Sequence, residues 1–277
     1  PTPQVTANAC APENLKTVAS GTLTIGTDNP AFPPYFALHD GPYPSPWEAL
    51  GYTGDPTTGQ GFESAVAFSV ARRMGFANDK VGWVVVPFNN SYAPGPKNFD
   101  FDINQVSYTA DRAQNVDMSD GYYDLNQAVV ALKANPASKA TSIADLKGYK
   151  FGAQVGTTSY QTIQTIIQPT AEAAVYNENS DAVSALKAKQ IDAIVVDLPT
   201  ADFIANAGVE IDSGLATIVG QLQPPSGTSE HFSLVLSKGN PLTACVNAAI
   251  GSLKADGTLA ALATKWLPFQ EGVPVLK

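Results

Sequence analysis

Histidine, cysteine and methionine each occur only twice in 277 residues, and the scarcity closes off several chemistries. Cys10 and Cys245 are far apart and neither belongs to a Cys-x-x-Cys spacing, so metal ligation and thioredoxin-like redox chemistry have nothing to build on. His39 lies in a Pro/Gly-rich stretch and His231 beside a predicted crossover strand, with no Ser or Cys in a nucleophile motif. No catalytic residue, metal or cofactor is therefore assigned. Basic residues number 16 against 25 acidic ones, a formal charge of -9, and there is no basic run or aromatic-basic interleaving. That excludes nucleic acid as a partner. No apolar run approaches the roughly 18 to 20 residues of a membrane span, which argues against the sensor domain of a membrane receptor.

What is present suits an α/β protein. Hydrophobic residues make up 44% of the chain, enough to fill one large domain or two ordinary ones. Residues 1–9 have no charged side chain and do not begin with Met, and are expected to form a flexible tether left by removal of a leader. The two cysteines allow two readings. One is a disulfide in an exported protein, the other a pair of buried thiols.

Residues 98–112, Asn98-Phe-Asp-Phe-Asp-Ile-Asn-Gln-Val-Ser-Tyr-Thr-Ala-Asp-Arg112, read as one wall of a binding site. Phe99, Phe101, Ile103 and Val106 suit a short strand, while Asn104, Gln105, Ser107 and Thr109 crowd it with small polar groups. Arg112 then supplies a fixed charge whose planar fork matches a carboxylate. An ordinary surface arginine is the competing reading.

Around this stretch, residues 23–28 read as a buried strand followed by an aromatic and proline-rich loop, so Asp28 and Phe32 become ligand candidates at a strand end. Residues 40–61 read as a long loop, 61–75 as a helix buried on one face, and 81–86 as the next strand. Phe88 begins another loop. The rhythm of strand, helix and strand is that of a parallel sheet with crossover helices. The pattern restarts at 127–133, with a capped helix from Ser142, a strand at 150–154 and a helix opening on Gly156-Thr-Thr158, whose free N–H groups suit an anion. A buried strand over 191–196 ends on Asp197, which either faces a ligand crevice or caps the next helix. Strands at 216–219 and 232–236 and two helices, starting near Asn240 and at about Leu259, complete the chain.

Gly61-Phe-Glu63, Tyr108-Thr-Ala-Asp-Arg112, Asp117-Met-Ser-Asp-Gly-Tyr-Tyr123, Asp145-Leu-Lys-Gly148, Gly156-Thr-Thr158, Gln190-Ile-Asp-Ala193 and Asp256-Gly-Thr258 with Lys265-Trp266 form an ordered set. Over roughly residues 20–268 it resembles the family 3 extracellular solute-binding proteins, the polar amino-acid receptors of bacterial ABC importers.

The resemblance implies the two-lobed periplasmic-binding-protein type II fold, an α/β architecture whose lobes are joined by two crossover strands. By that pattern residues 1–19 are the tether, 20–121 and 232–277 lobe one, 127–228 lobe two, and 122–126 and 229–231 the hinge. An amino acid would sit in the cleft between lobes, and closure would signal to a membrane permease met transiently by a monomer. Arg112 matches the arginine that takes the ligand α-carboxylate, helped by Ser107, Thr157 and Thr158. Asp197 matches the carboxylate that takes the α-ammonium, and Gln105 a position whose backbone carbonyl assists. Phe32 matches the aromatic that stacks on the ligand, while Asp28, Phe88, Asn104 and Gln154 match positions lining the side-chain pocket. Family members carry small residues at the positions of Asn104 and Gln105, and the Cys10 with Cys245 pair is a subgroup feature. The implied location is extracellular, anchored through a lipoprotein leader, or periplasmic. An enzyme on the same scaffold, dehydratase-like or lytic-transglycosylase-like, is the alternative.

Overall fold

A computed structural model describes residues 7–47, 53–224, 230–267 and 272–277 of the chain. It divides into two compact units, Pro1–Asp124 with His231–Leu267, and Leu125–Glu230 with Pro268–Lys277.

In the first unit, Leu23–Thr27 is buried at every position and forms the second strand of a five-stranded sheet. Val81–Val85 and Phe101–Asp102 flank it in parallel, and Val235–Ser237 pairs antiparallel with both Phe101–Asp102 and Val116–Met118. The all-parallel sheet expected from element order is thus corrected to a mixed one. Its fourth strand comes from chain that returns after Leu125–Glu230 of the second unit, a direction local rhythm cannot specify. The strand expected around residues 99–106 is only Phe101–Asp102, because Gln105 takes a left-handed backbone at φ 49°.

The helix Phe62–Arg73 is buried over all of residues 62–71, not on one face, and packs against Thr243–Ala255 and Thr258–Trp266. Its entry needs Gly61, at φ 91°, where a Cβ would come within 2.4 Å of the Tyr35 carbonyl oxygen. Arg72 and Arg73 in its last turn complement the helix dipole, and Arg73 pairs with Asp256.

Of the segment expected to be a tether, residues 7–19 are described. Cys10 is joined to Cys245 in a disulfide, and the Val18 amide donates to Asp100 Oδ1 at 2.8 Å. Residues 1–6 of the expected tether, 48–52 of the expected long loop and Ser229 of the expected hinge lie outside the described residues.

The second unit is built on a sheet ordered Ala216–Leu222, Gln127–Leu132, Ala193–Asp197, Phe151–Gln154 and Ala174–Tyr176. The first two pairings are antiparallel and the last two parallel. Its two central strands are apolar on both faces, and their alternation sorts them into two cores. Ala128, Val130, Ile194 and Val196 pack with the helices Asn179–Lys187 and Leu198–Asn206. Val129, Ala131, Ala193 and Val195 pack with Leu146, Ile163 and Ile167 on the opposite face.

Leu276 joins that second cluster, its amide donating to Gln221 O at 3.0 Å, and Ile143 donates to the Lys277 carbonyl at 3.1 Å. Residues 272–277 accordingly group with the second unit, not with lobe one where the sequence reading put them. The chain passes between units after Asp124, Glu230 and Leu267. Tyr123–Leu125 and Glu230–Phe232, at the first two passages, pair as a two-stranded sheet.

Candidate functional site

In the first unit, Asp28 follows directly on the buried strand Leu23–Thr27 and is itself buried. Its Oδ1 accepts from the Asn29 amide at 2.8 Å and its Oδ2 from the Phe88 amide at 2.9 Å. Burial raises its pKa, opposed by those two amides and by the Asn104 side chain. Asp28, Phe88 and Asn104 are therefore brought together. Phe88 opens a short helix, Phe88–Ser91, where a loop was expected.

Arg112 begins the one-turn helix Arg112–Asn115 and is only 7% exposed, which rules out the ordinary surface arginine. Its guanidinium carbon lies 4.4 Å from the Tyr92 ring centre and 5.4 Å from that of Phe88, and Nη1 donates to Ser107 O at 2.6 Å. Stacking and that bond hold the planar fork in one orientation. Tyr92 was missed by the sequence reading, since an aromatic in a polar loop is indistinguishable from packing. Phe32 is half-buried, its carbonyl accepting from the Phe36 amide at 3.1 Å.

Gln105 has another attachment. Its backbone N–H donates to Glu63 Oε1 at 2.8 Å and its side-chain amide donates to Glu63 Oε2, while the Tyr122 hydroxyl also donates to Glu63. Glu63 is fully buried, and burial pushes its pKa up to about 7 against the pull of these donors. Asp102 is also fully buried, with neither oxygen hydrogen-bonded among the described residues. Burial, then the charges of Glu63 and Asp28, raise its pKa well above the usual carboxylate range.

In the second unit, Thr157 occupies the N-cap of the helix Thr158–Thr162, accepting from the Tyr160 amide at 3.1 Å and donating to Gln154 O at 2.8 Å. Gln154 is buried, its amide 3.4 Å from Glu178 Oε2. Asp197 stands at the N-cap position of Leu198–Asn206, yet its side chain makes no capping bond. Its Oδ1 accepts from Gln127 Nε2 at 2.6 Å, and the same nitrogen reaches Thr158 Oγ1 at 3.3 Å. Thr158 and Asp197 are thus brought together by Gln127, a residue the sequence reading saw only as the start of a strand.

Among the described residues no set of three or more His, Cys, Asp and Glu is arranged to hold a metal. His39 instead meets Asp55 at 2.9 Å and stacks on Tyr43, and His231 stacks on Tyr108.

The first unit thus offers a buried, oriented cation, and the second, taken by itself, a strand-end carboxylate beside hydroxyls. Residues 43–269 match the model of the bacterial extracellular solute-binding proteins, family 3. The chain belongs to this family. The L-cystine-binding protein TcyJ of Escherichia coli (strain K12) is 26% identical over 249 residues, 89% of this chain and 82% of that protein. A solved structure described as an ancestral arginine-binding protein bound to glutamine shares 27% identity at a TM-score of 0.69, covering 90% of this chain and 98% of that one. Another, the ancestral amino acid-binding protein AncCDT-1, described as a precursor of cyclohexadienyl dehydratase, shares 26% identity at a TM-score of 0.68, covering 89% and 95%. Among the described residues no helix is long and apolar enough to cross a membrane.

Proposed function

We propose that this member of the family captures one polar amino acid outside the cytoplasm and delivers it to an ABC permease. The family match over residues 43–269 carries the reading, and the buried, stacked Arg112 supports it. Arg112, with Ser107, Thr157 and Thr158, takes the α-carboxylate, and Asp197 takes the α-ammonium. Asp28, Phe32, Phe88, Asn104, Gln105 and Gln154 meet the rest of the ligand. A ligand gripped by residues of both units draws them together, so that binding becomes a closure the permease reads. The protein acts as a monomer, either anchored at the outer face of the cell membrane through a removed lipoprotein leader or free in the periplasm. It performs no chemistry on its cargo.

Calorimetric titration with the twenty amino acids tests the assignment, with binding expected for at least one free amino acid and lost when its carboxylate is amidated or its amine acylated. The likeness to AncCDT-1 favours one rival, an enzyme acting on a cyclic acid. Recovery of the bound ligand chemically altered would put that rival ahead.

A further inference from the structure

We infer that Gln127 is the positioning residue of the ammonium-binding carboxylate, and that it gathers Glu230 beside Asp197 as a second negative group. The inference rests on the amino-acid-binding reading above and adds the device that sets its demand for a free amine.

Gln127 opens the strand Gln127–Leu132 and faces Asp197 directly across an antiparallel pairing, so the two side chains emerge side by side at the strand ends. It is 2% exposed, a depth at which an amide must be satisfied. Its oxygen takes the Ser159 hydroxyl at 2.7 Å. The hydroxyl could serve either end of the amide, but the carboxylate oxygens on the other side only accept, and they turn Nε2 towards the acids. Nε2 then lies 2.6 Å from Asp197 Oδ1, 3.1 Å from each Glu230 carboxylate oxygen and 3.3 Å from Thr158 Oγ1.

Two N–H bonds therefore face four oxygens, three of them from carboxylates. An amide orients a carboxylate without neutralising it, whereas Lys or Arg in the same place would cancel the charge that an incoming ammonium must meet. The outcome is a fixed anionic corner held by a neutral donor. A ligand amine placed there answers two acids instead of one.

The experiment compares L-arginine, L-glutamine and L-cystine, each against the same molecule lacking its α-amino group, or both of them for cystine, by calorimetry. The readout is the affinity ratio within each pair, which a general loss of folding would not move. Wild type should favour the amine-bearing partner. Gln127→Met, of similar length but with no N–H, should shrink that ratio by about tenfold or more, the scale of one lost hydrogen bond to a charged group. Glu230→Gln should shrink it by about threefold or more, on the weaker scale of a partly exposed charge. Ser159→Ala, a mild change that frees the amide to rotate, should shrink it in the same direction and serves if the Met variant does not fold. Ratios unchanged in Ser159→Ala and Glu230→Gln, with wild type still discriminating, overturn this inference alone. Wild type that binds none of the twenty amino acids overturns the amino-acid reading and this inference together, and binding of one outside these three moves the paired comparison to that amino acid.

Discussion

Replacing Glu63 by Gln should remove a pH dependence built into the first unit. The side chain is fully buried on Phe62–Arg73, accepting from Tyr122 and from the Gln105 backbone and side chain. Burial is the largest influence and lifts its pKa from 4.5 to about 7. An acid whose folded pKa is raised keeps its proton longer in the native state than in the unfolded one. Its contribution to stability is therefore complete below about pH 4.5 and is lost as pH rises through about 7. At about 1.4 kcal/mol per pKa unit the loss comes to about 3 kcal/mol. Asp102 adds to it with the same sign, since Glu63 is among the charges that raise its pKa.

The amide in Glu63→Gln still accepts from Tyr122 and the Gln105 backbone, and Gln105 can turn its own amide to present oxygen. Urea denaturation from pH 4.5 to 8, followed by near-ultraviolet circular dichroism, reads the difference. Wild type should lose about 3 kcal/mol more than the variant across that range. Curves that stay parallel to within about 0.5 kcal/mol would show that this carboxyl does not titrate there, and the burial argument would fail.

Arg112→Ala and Asp197→Ala should each weaken amino-acid binding by about 3 to 5 kcal/mol, or two to three and a half decades, because each leaves a desolvated ligand charge unpaired. Arg112→Lys should not restore it, since a point charge reproduces neither the bidentate fork nor the stacking on Tyr92. Calorimetry decides, and affinity within about threefold of wild type in both alanine variants would refute the clamp. Intact-mass analysis should find two alkylatable thiols only after reduction of Cys10–Cys245. Opening a loop with a sequence separation of 235 should lower stability by up to about 5 kcal/mol on the chain-entropy account, seen as a lower urea midpoint. Small-angle scattering should record a contraction when a binding amino acid is added, and an unchanged radius at saturation would reject closure.

Periodicity and capping made much of the architecture legible. The buried strands at Leu23–Thr27 and Ala193–Asp197 announce themselves as short apolar runs, and Ser142 with Asp145 forms the capping box that starts Ile143–Leu146. An ordered set of short motifs was enough to suggest the family, because their spacing carries information that none has alone. The strand-end positions of Asp28 and Asp197 were also legible, since a carboxylate at the end of an apolar strand stands out from its own segment.

Pairings between distant segments were left to the tertiary structure. The antiparallel strand Val235–Ser237, the C-terminal residues packed into the second unit and the burial of Arg112 all depend on chain that is remote in sequence. Glu63 meets Tyr122 across 59 positions and Gln127 meets Asp197 across 70. Local pattern reports what a residue does to its own segment. A buried polar side chain is decided by which partners the fold brings within hydrogen-bonding distance, and a glutamine at the start of an apolar strand carries no local mark of the acids it will hold.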